Sequence, residues 1–118
     1  QKMLNNEQPI IHGNGRQTRD FVFVDDVAEA NLAAMGQDAH GVYNVGTGAE
    51  TSVNELFRML AGLTASSVKE LHGPAKAGEQ IRSVVDPSRI KQELGWEVKV
   101  DLAEGLKQTV EFFQGKSR

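Results

Sequence analysis

Gly13-Asn14-Gly15-Arg16-Gln17-Thr18-Arg19-Asp20-Phe21-Val22-Phe23-Val24-Asp25-Asp26 places a glycine turn, two guanidiniums and an apolar run in direct succession. Gly and Asn at 13–15 are strong turn formers. The run Phe21 to Val24 is β-branched and aromatic with no polar alternation, which predicts a buried strand. Asp25 and Asp26 then offer carboxylates to the orphan N–H groups of a helical first turn, and Ala-rich sequence to Met35 continues that helix. Turn, strand and helix in this order predict an α/β chain.

The flanking sequence repeats the pattern. Pro9 to His12 is a short apolar run closed by the glycine turn. The opening Gln1-Lys2-Met3-Leu4-Asn5-Asn6 reads as the tail of a helix already under way, so a piece of a longer chain is expected. Downstream, Val42-Tyr43-Asn44-Val45 lies between Gly41 and Gly46-Thr47-Gly48 and predicts a second buried strand. Ser52-Val53-Asn54-Glu55 is a capping box, in which Ser and Glu satisfy each other's backbone donors. Val53, Leu56, Phe57, Leu60 and Leu63 then line one helical face. Val68 to Leu71 reads as a weak strand, Gly73 to Gly78 as a loop and Ile81 to Val85 as extended. Asp86 is a cap with Pro87 at the first helical position, and that helix stops at Gly95. Asp101 caps a last helix with the stripe Leu102, Leu106, Val110 and Phe113. The sum is about four helices with several short strands.

Composition narrows the function classes. The chain has 118 residues and no Cys, which excludes disulfides, thiolate metal sites and thiol nucleophiles. Net charge is −3, against the basic face that nucleic acid requires. No apolar run approaches the roughly 20 residues that span a bilayer. With no secretory signal at its start, the chain is expected to be cytoplasmic.

The residues that could carry chemistry are few. A Gly-x-Gly-x-x-Gly loop between strand and helix is missing, as is a phosphate-binding Walker loop. His12, His40 and His72 are scattered, so no metal site is expected. Arg16 and Arg19 sit three residues apart at the exit of the glycine turn. Guanidinium forks match phosphate oxygens, so the pair could grip a diphosphate. Equally, Arg16 could be solvated and Arg19 paired with Asp20 or Asp25. A second patch, Pro74-Ala75-Lys76-Ala77-Gly78-Glu79 with Arg82 beyond, could hold a phosphate and a hydroxyl or be an ordinary surface loop. Asp25 and Asp26 read as a helix cap and not as an acid/base dyad.

In order, "PIIHGNGRQTRDFVFVDDVAEAN", "GVYNVGTGAETSVNEL", "PAKAGEQIRSVVDPSRIKQELGW" and "DLAEGLKQTVEFF" resemble the C-terminal half of the extended short-chain dehydrogenase/reductases. Within them the likeness is to the NAD-dependent nucleotide-sugar epimerase/dehydratase family, in its UDP-glucose 4-epimerase branch. The resemblance covers nearly the whole chain. It implies an α/β substrate-binding portion, residues 1–118, that lacks most of a Rossmann sheet. By the same likeness Arg19 contacts the nucleotide diphosphate, and Lys76 stands where the family usually has an Arg on that diphosphate. Glu79 matches the acidic residue that bonds a ribose hydroxyl. Ile10 and His12 lie on the segment bordering the nucleobase, His12 where an aromatic is common.

The family's NAD loop and its Tyr-x-x-x-Lys pair belong to an N-terminal half absent from this chain. Tyr43 has Gly46 near it where a Lys would be needed, so no catalytic residue is expected here. The resemblance thus implies a substrate-side piece of a nucleotide-sugar 4-epimerase, homodimeric when intact and inert alone. Two alternatives stand beside it. One is a dehydratase or decarboxylase of the same family, and the other is a non-catalytic module that binds a nucleotide sugar or a protein.

Overall fold

A computed structural model describes residues 1–115 of the chain. Among them are four helices, α1 (Val24–Met35), α2 (Val53–Leu63), α3 (Ser88–Leu94) and α4 (Leu102–Phe113). Four two-residue strands accompany these: β1 (Ile11–His12), β2 (Thr18–Arg19), β3 (Thr51–Ser52) and β4 (His72–Gly73). β1 runs parallel to β4 with Ile11 opposite His72, and β2 antiparallel to β3 with Thr18 opposite Ser52. The chain is α/β, as the alternation of its segments predicts.

Local capping chemistry starts and stops most of the helices. The Ser52–Glu55 capping box is complete, with Ser52 Oγ accepting the Glu55 amide at 3.2 Å and Glu55 Oε2 accepting the Ser52 amide at 2.9 Å. Asp101 Oδ1 accepts the Glu104 amide at 2.8 Å and opens α4. Gly95 closes α3 in the left-handed region at φ 69°, where a Cβ is disfavoured. The start of α3 falls one residue later than predicted: Pro87 is the cap, and Asp86 accepts the Ser88 amide.

Helix α1 departs from the expectation. Its cap position is Phe23, with no side-chain cap bond, and Asp25 and Asp26 lie inside the first turn. The buried Asp26 carboxylate serves another segment instead, accepting the Lys99 amide at 3.3 Å and the Val100 amide at 3.0 Å. The Asp26 carbonyl accepts Trp96 Nε1 at 2.9 Å. One residue therefore ties α1 to the stretch that leads into α4.

Neither predicted buried strand forms a ladder. Residues 21–23 are extended but unpaired into any sheet, Val24 already belongs to α1, and 42–45 is likewise outside any strand. A strand exists only beside a neighbour, and no described segment lies in register with either run. The weak strand expected at Val68–Leu71 falls at His72–Gly73, where it meets β1. Residues 2–6 form turns and no helix.

Two apolar centres hold the chain. Ala30, Ile90, Leu94 and Trp96 form the first, joined by Tyr43 and Val45 from the unpaired segment. Phe57 of α2 and Val110 of α4 are the buried residues where those two helices pack. The whole measures 48 × 37 × 17 Å with a radius of gyration of 16.4 Å. A compact chain of this length would give about 13.5 Å. A thickness of 17 Å is about one and a half times that of a single helix with its side chains, about 10–12 Å. Such a slab leaves apolar groups uncovered, Leu32 at 66%, Met35 at 82% and Val42 at 81% exposure among them.

Two glycines should respond oppositely to a methyl group. A Cβ at Gly46 would lie 2.2 Å from Val85 Cγ2 and 2.7 Å from Asp20 Oδ2, whereas one at Gly62 meets nothing within 4 Å. Gly46→Ala is expected to cost about 1–3 kcal/mol through overpacking. Gly62→Ala in α2 should gain about 0.5–1 kcal/mol from helix propensity. Urea midpoints at constant slope measure both, and a neutral Gly46→Ala would contradict this packing.

Candidate functional site

The glycine turn becomes one wall of a cleft. Gly13 and Gly15 take φ of 81° and 72°, and Asn14 Oδ1 accepts the Arg16 amide at 2.9 Å. Asn54, at the start of α2, donates its side-chain amide to Asn14 O at 3.0 Å and its backbone amide to Gly15 O at 3.0 Å. On the other side, Gln17 Nε2 donates to His12 O at 2.9 Å. Four bonds therefore fix this turn against both β1 and α2.

The loop after β4 forms the second wall. Lys76 O accepts the Glu79 amide across a turn in which Gly78 takes φ 76°. Where the loop returns to the body, the Thr18 amide donates to Ile81 O at 2.8 Å. Between the walls is a cleft of about 330 Å³ whose lining includes His12, Arg16, Gln17, Lys76 and Glu79.

Arg19 braces this arrangement. Its Nη1 donates to the carbonyls of Thr18 at 2.6 Å and Gln80 at 2.9 Å, and its Nη2 pairs with Glu79 Oε1 at 3.3 Å. The carboxylate partner is thus Glu79, sixty positions away, and neither Asp20 nor Asp25 as the local alternative had it. Of the five residues singled out from sequence, His12, Lys76 and Glu79 line the cleft and Arg19 is joined to it through Glu79. Ile10 stands outside the lining, half exposed, with its Cγ2 beside Gly73. Its position follows from alternation along β1, which buries Ile11 and turns Ile10 and His12 the other way.

Two further carboxylates fix the walls, and neither was singled out from sequence. Asp20 accepts the Thr47 amide at 2.9 Å, the Thr47 hydroxyl at 2.6 Å and the Gly48 amide at 3.0 Å, with the Val85 amide at 3.5 Å. Burial raises its pKa, but the hydrogen bonds from Thr47, Gly48 and Val85 outweigh that and hold it below the ordinary value. Glu50 takes a two-point grip from Arg82 at 2.9 and 2.7 Å and the Thr18 hydroxyl at 2.7 Å. The sequence signal for both was slight: an acid beside Gly-Thr-Gly, and an Arg just after the loop.

A larger groove of about 400 Å³ lies elsewhere, walled by Phe21, Phe23, Leu102, Leu106, Phe112 and Phe113 among others. Its one ionisable wall residue, Asp101, already caps α4, so the groove gathers no polar chemistry. Among the described residues no group of His, Cys, Asp or Glu is placed to hold a metal. None of their helices is long and apolar enough to cross a membrane.

An α/β slab with a polar cleft between a glycine turn and a Lys/Glu loop falls in the class of extended short-chain dehydrogenase/reductases. The family model described as GDP-mannose 4,6 dehydratase matches residues 1–109, and the chain belongs to this family of NAD-dependent epimerases and dehydratases. UDP-glucose 4-epimerase of Mycolicibacterium smegmatis is 45% identical over 92% of this chain and 35% of its own length. The solved UDP-glucose 4-epimerase of Thermotoga maritima with UDP-glucose is 44% identical, with a TM-score of 0.94 over 97% of this chain and 37% of its own. That of Thermus thermophilus with NAD is 30% identical, with a TM-score of 0.90 over 98% and 38%. A UDP-glucuronic acid decarboxylase of Arabidopsis thaliana and a dTDP-D-glucose 4,6-dehydratase of Homo sapiens also match, at 32% and 35% identity over at least 90% of the chain. The chain spans a little over a third of the length of the epimerases it matches.

The Glu50 brace has a titration signature. Hydrogen bonds from Arg82, then from Thr18, bring the Glu50 pKa down from 4.5 to about 2. A carboxylate lowered on folding stabilises the fold above its unfolded value and loses that contribution as pH falls from 4.5 to about 2. A carboxyl NMR titration should find the Glu50 midpoint near 2 in the native chain and back towards 4.5 in Arg82→Ala. An unmoved midpoint in the variant would contradict the brace.

Proposed function

We propose that residues 1–118 form the substrate-side portion of an NAD-dependent nucleotide-sugar 4-epimerase of the UDP-glucose/UDP-galactose type, and that the cleft takes the nucleotide diphosphate. The observation that carries this reading is the meeting of Lys76, Glu79 and Arg19 at one cleft from two distant segments. Lys76 lies exposed on the cleft wall, free to reach a phosphate. Arg19 still has its Nε–H and one Nη2–H to offer the same group, since a guanidinium carries five donors and three are used. Glu79 spends Oε1 on Arg19 and keeps Oε2 to accept a ribose hydroxyl. His12 on the lining and Ile10 beside it border the base.

The described residues do not fit a dinucleotide. Their glycine turn leads into β2 and not into a helix N-terminus. The space at Gly13 is taken by Ala75 and that at Gly15 by Asn54, which leaves no backbone cradle for a pyrophosphate of the cofactor. In this reading NAD, which takes up and returns the hydride, and the Tyr–Lys pair both belong to an N-terminal half outside this chain. The intact enzyme would be a cytoplasmic homodimer. The dehydratase and decarboxylase relatives support a second reading in which the same cleft serves a different step on the sugar.

Calorimetric titration of UDP tests the cleft. Lys76→Ala should weaken binding about tenfold, and Lys76→Arg should strengthen it about two- to threefold because a guanidinium adds a second parallel donor. Equal affinity in the wild type, Lys76→Ala and Arg19→Ala would remove the cleft from the site. A coupled assay for conversion of UDP-galactose to UDP-glucose should find no turnover by this chain alone above a heat-killed control. Measurable turnover would refute the division into two halves.

A further inference from the structure

We infer that Arg16 is a further phosphate-reading cation of the cleft, the counterpart of Lys76 on the opposite wall; this rests on the diphosphate reading above. Four of the described arginines, Arg19, Arg58, Arg82 and Arg89, each hold a carboxylate. Arg16 alone does not. Its guanidinium enters none of the ion pairs or side-chain hydrogen bonds of the described residues, although it lines the cleft. Its backbone is nevertheless fixed on both sides. Asn14 Oδ1 holds the Arg16 amide, Asn54 holds Asn14 and Gly15, and Gln17 O accepts the Val53 amide at 3.1 Å. With its backbone already fixed, Arg16 gives up only the freedom of its own side chain on meeting an anion.

The charge count on the cleft agrees. Arg19 and Glu79 neutralise one another, which leaves Arg16 and Lys76 as the cations of the lining without a counter-charge. A diphosphate diester carries one negative charge on each phosphoryl group, so two cations on facing walls match it one to one. Arg16 can contact a phosphoryl group through two parallel N–H donors, and Lys76 only as a point charge.

The test is binding of UDP, uridine and inorganic pyrophosphate to the intact protein, its Arg16→Gln and Arg16→Lys variants and Lys76→Ala. Arg16→Gln should weaken UDP about tenfold, with uridine unchanged and Arg16→Lys in between. Its loss of affinity should also flatten the dependence on salt, since one ionic contact is gone. Unchanged UDP affinity in Arg16→Gln, where Lys76→Ala does weaken it, would overturn this inference and leave the proposed function standing. Equal weakening of UDP and uridine would overturn it too, because Arg16 would then shape the cleft and not read phosphate. If UDP fails to bind but pyrophosphate binds in an Arg16-dependent way, the anion site holds and the nucleotide reading falls. Binding of neither would end both.

Discussion

The Asp20 carboxylate is the constraint from which the cleft is built. It follows β2 directly and gathers the Thr47–Gly48 turn and the Val85 amide, three segments with no ladder in common. Charge-assisted hydrogen bonds are shorter and about twice as strong as neutral ones, which suits a region with little apolar cover. Gly46 allows the approach, since any Cβ there would occupy the space of the carboxylate. Glu50 repeats the device one strand away, joining β2 through Thr18 to Arg82 on the returning loop. Between the walls themselves, Arg19 and the Thr18 amide hold β2 to the returning loop at Glu79, Gln80 and Ile81.

Polar fastening of this kind follows from the shape of the chain. A slab 17 Å thick can bury only one side of most helices, and its two apolar centres are correspondingly small. Trp96 and Asp26 show the compromise: the indole fills the first centre while its N–H and the carboxylate bind backbone groups across the slab. The apolar groove beside Phe21 and Phe23 is the same fact seen from outside. Relatives more than two and a half times as long have more chain with which to cover such a face.

Helices were legible because their signals are local. Ser52 and Glu55 satisfy each other three residues apart, and Gly95 stops α3 by its own backbone freedom. Strands were not legible, because Phe21–Val24 and Val42–Val45 show β composition while a ladder also requires a neighbour. Asp26 was misread for a related reason. Its position fits a cap, but the amides it binds lie 73 and 74 positions on, and no local rule reaches them. In the site, family likeness named Arg19, Lys76, Glu79, Ile10 and His12 from distant segments, and of these His12, Lys76 and Glu79 line one cleft. Arg19 is joined to that cleft through Glu79, sixty positions away and beyond any local rule, and Ile10 stands outside its lining.

If the cleft takes the diphosphate as proposed, it also accounts for one stretch of sequence matching relatives with different chemistries. A diphosphate is a handle remote from the sugar carbon that reacts, and binding energy collected there positions the sugar without selecting its reaction. On that reading, epimerase, dehydratase and decarboxylase relatives can share such a handle while their reacting groups differ elsewhere. A fold that fastens its segments with two half-buried carboxylates, and its helices with local caps, would keep that handle rigid whatever is attached to it.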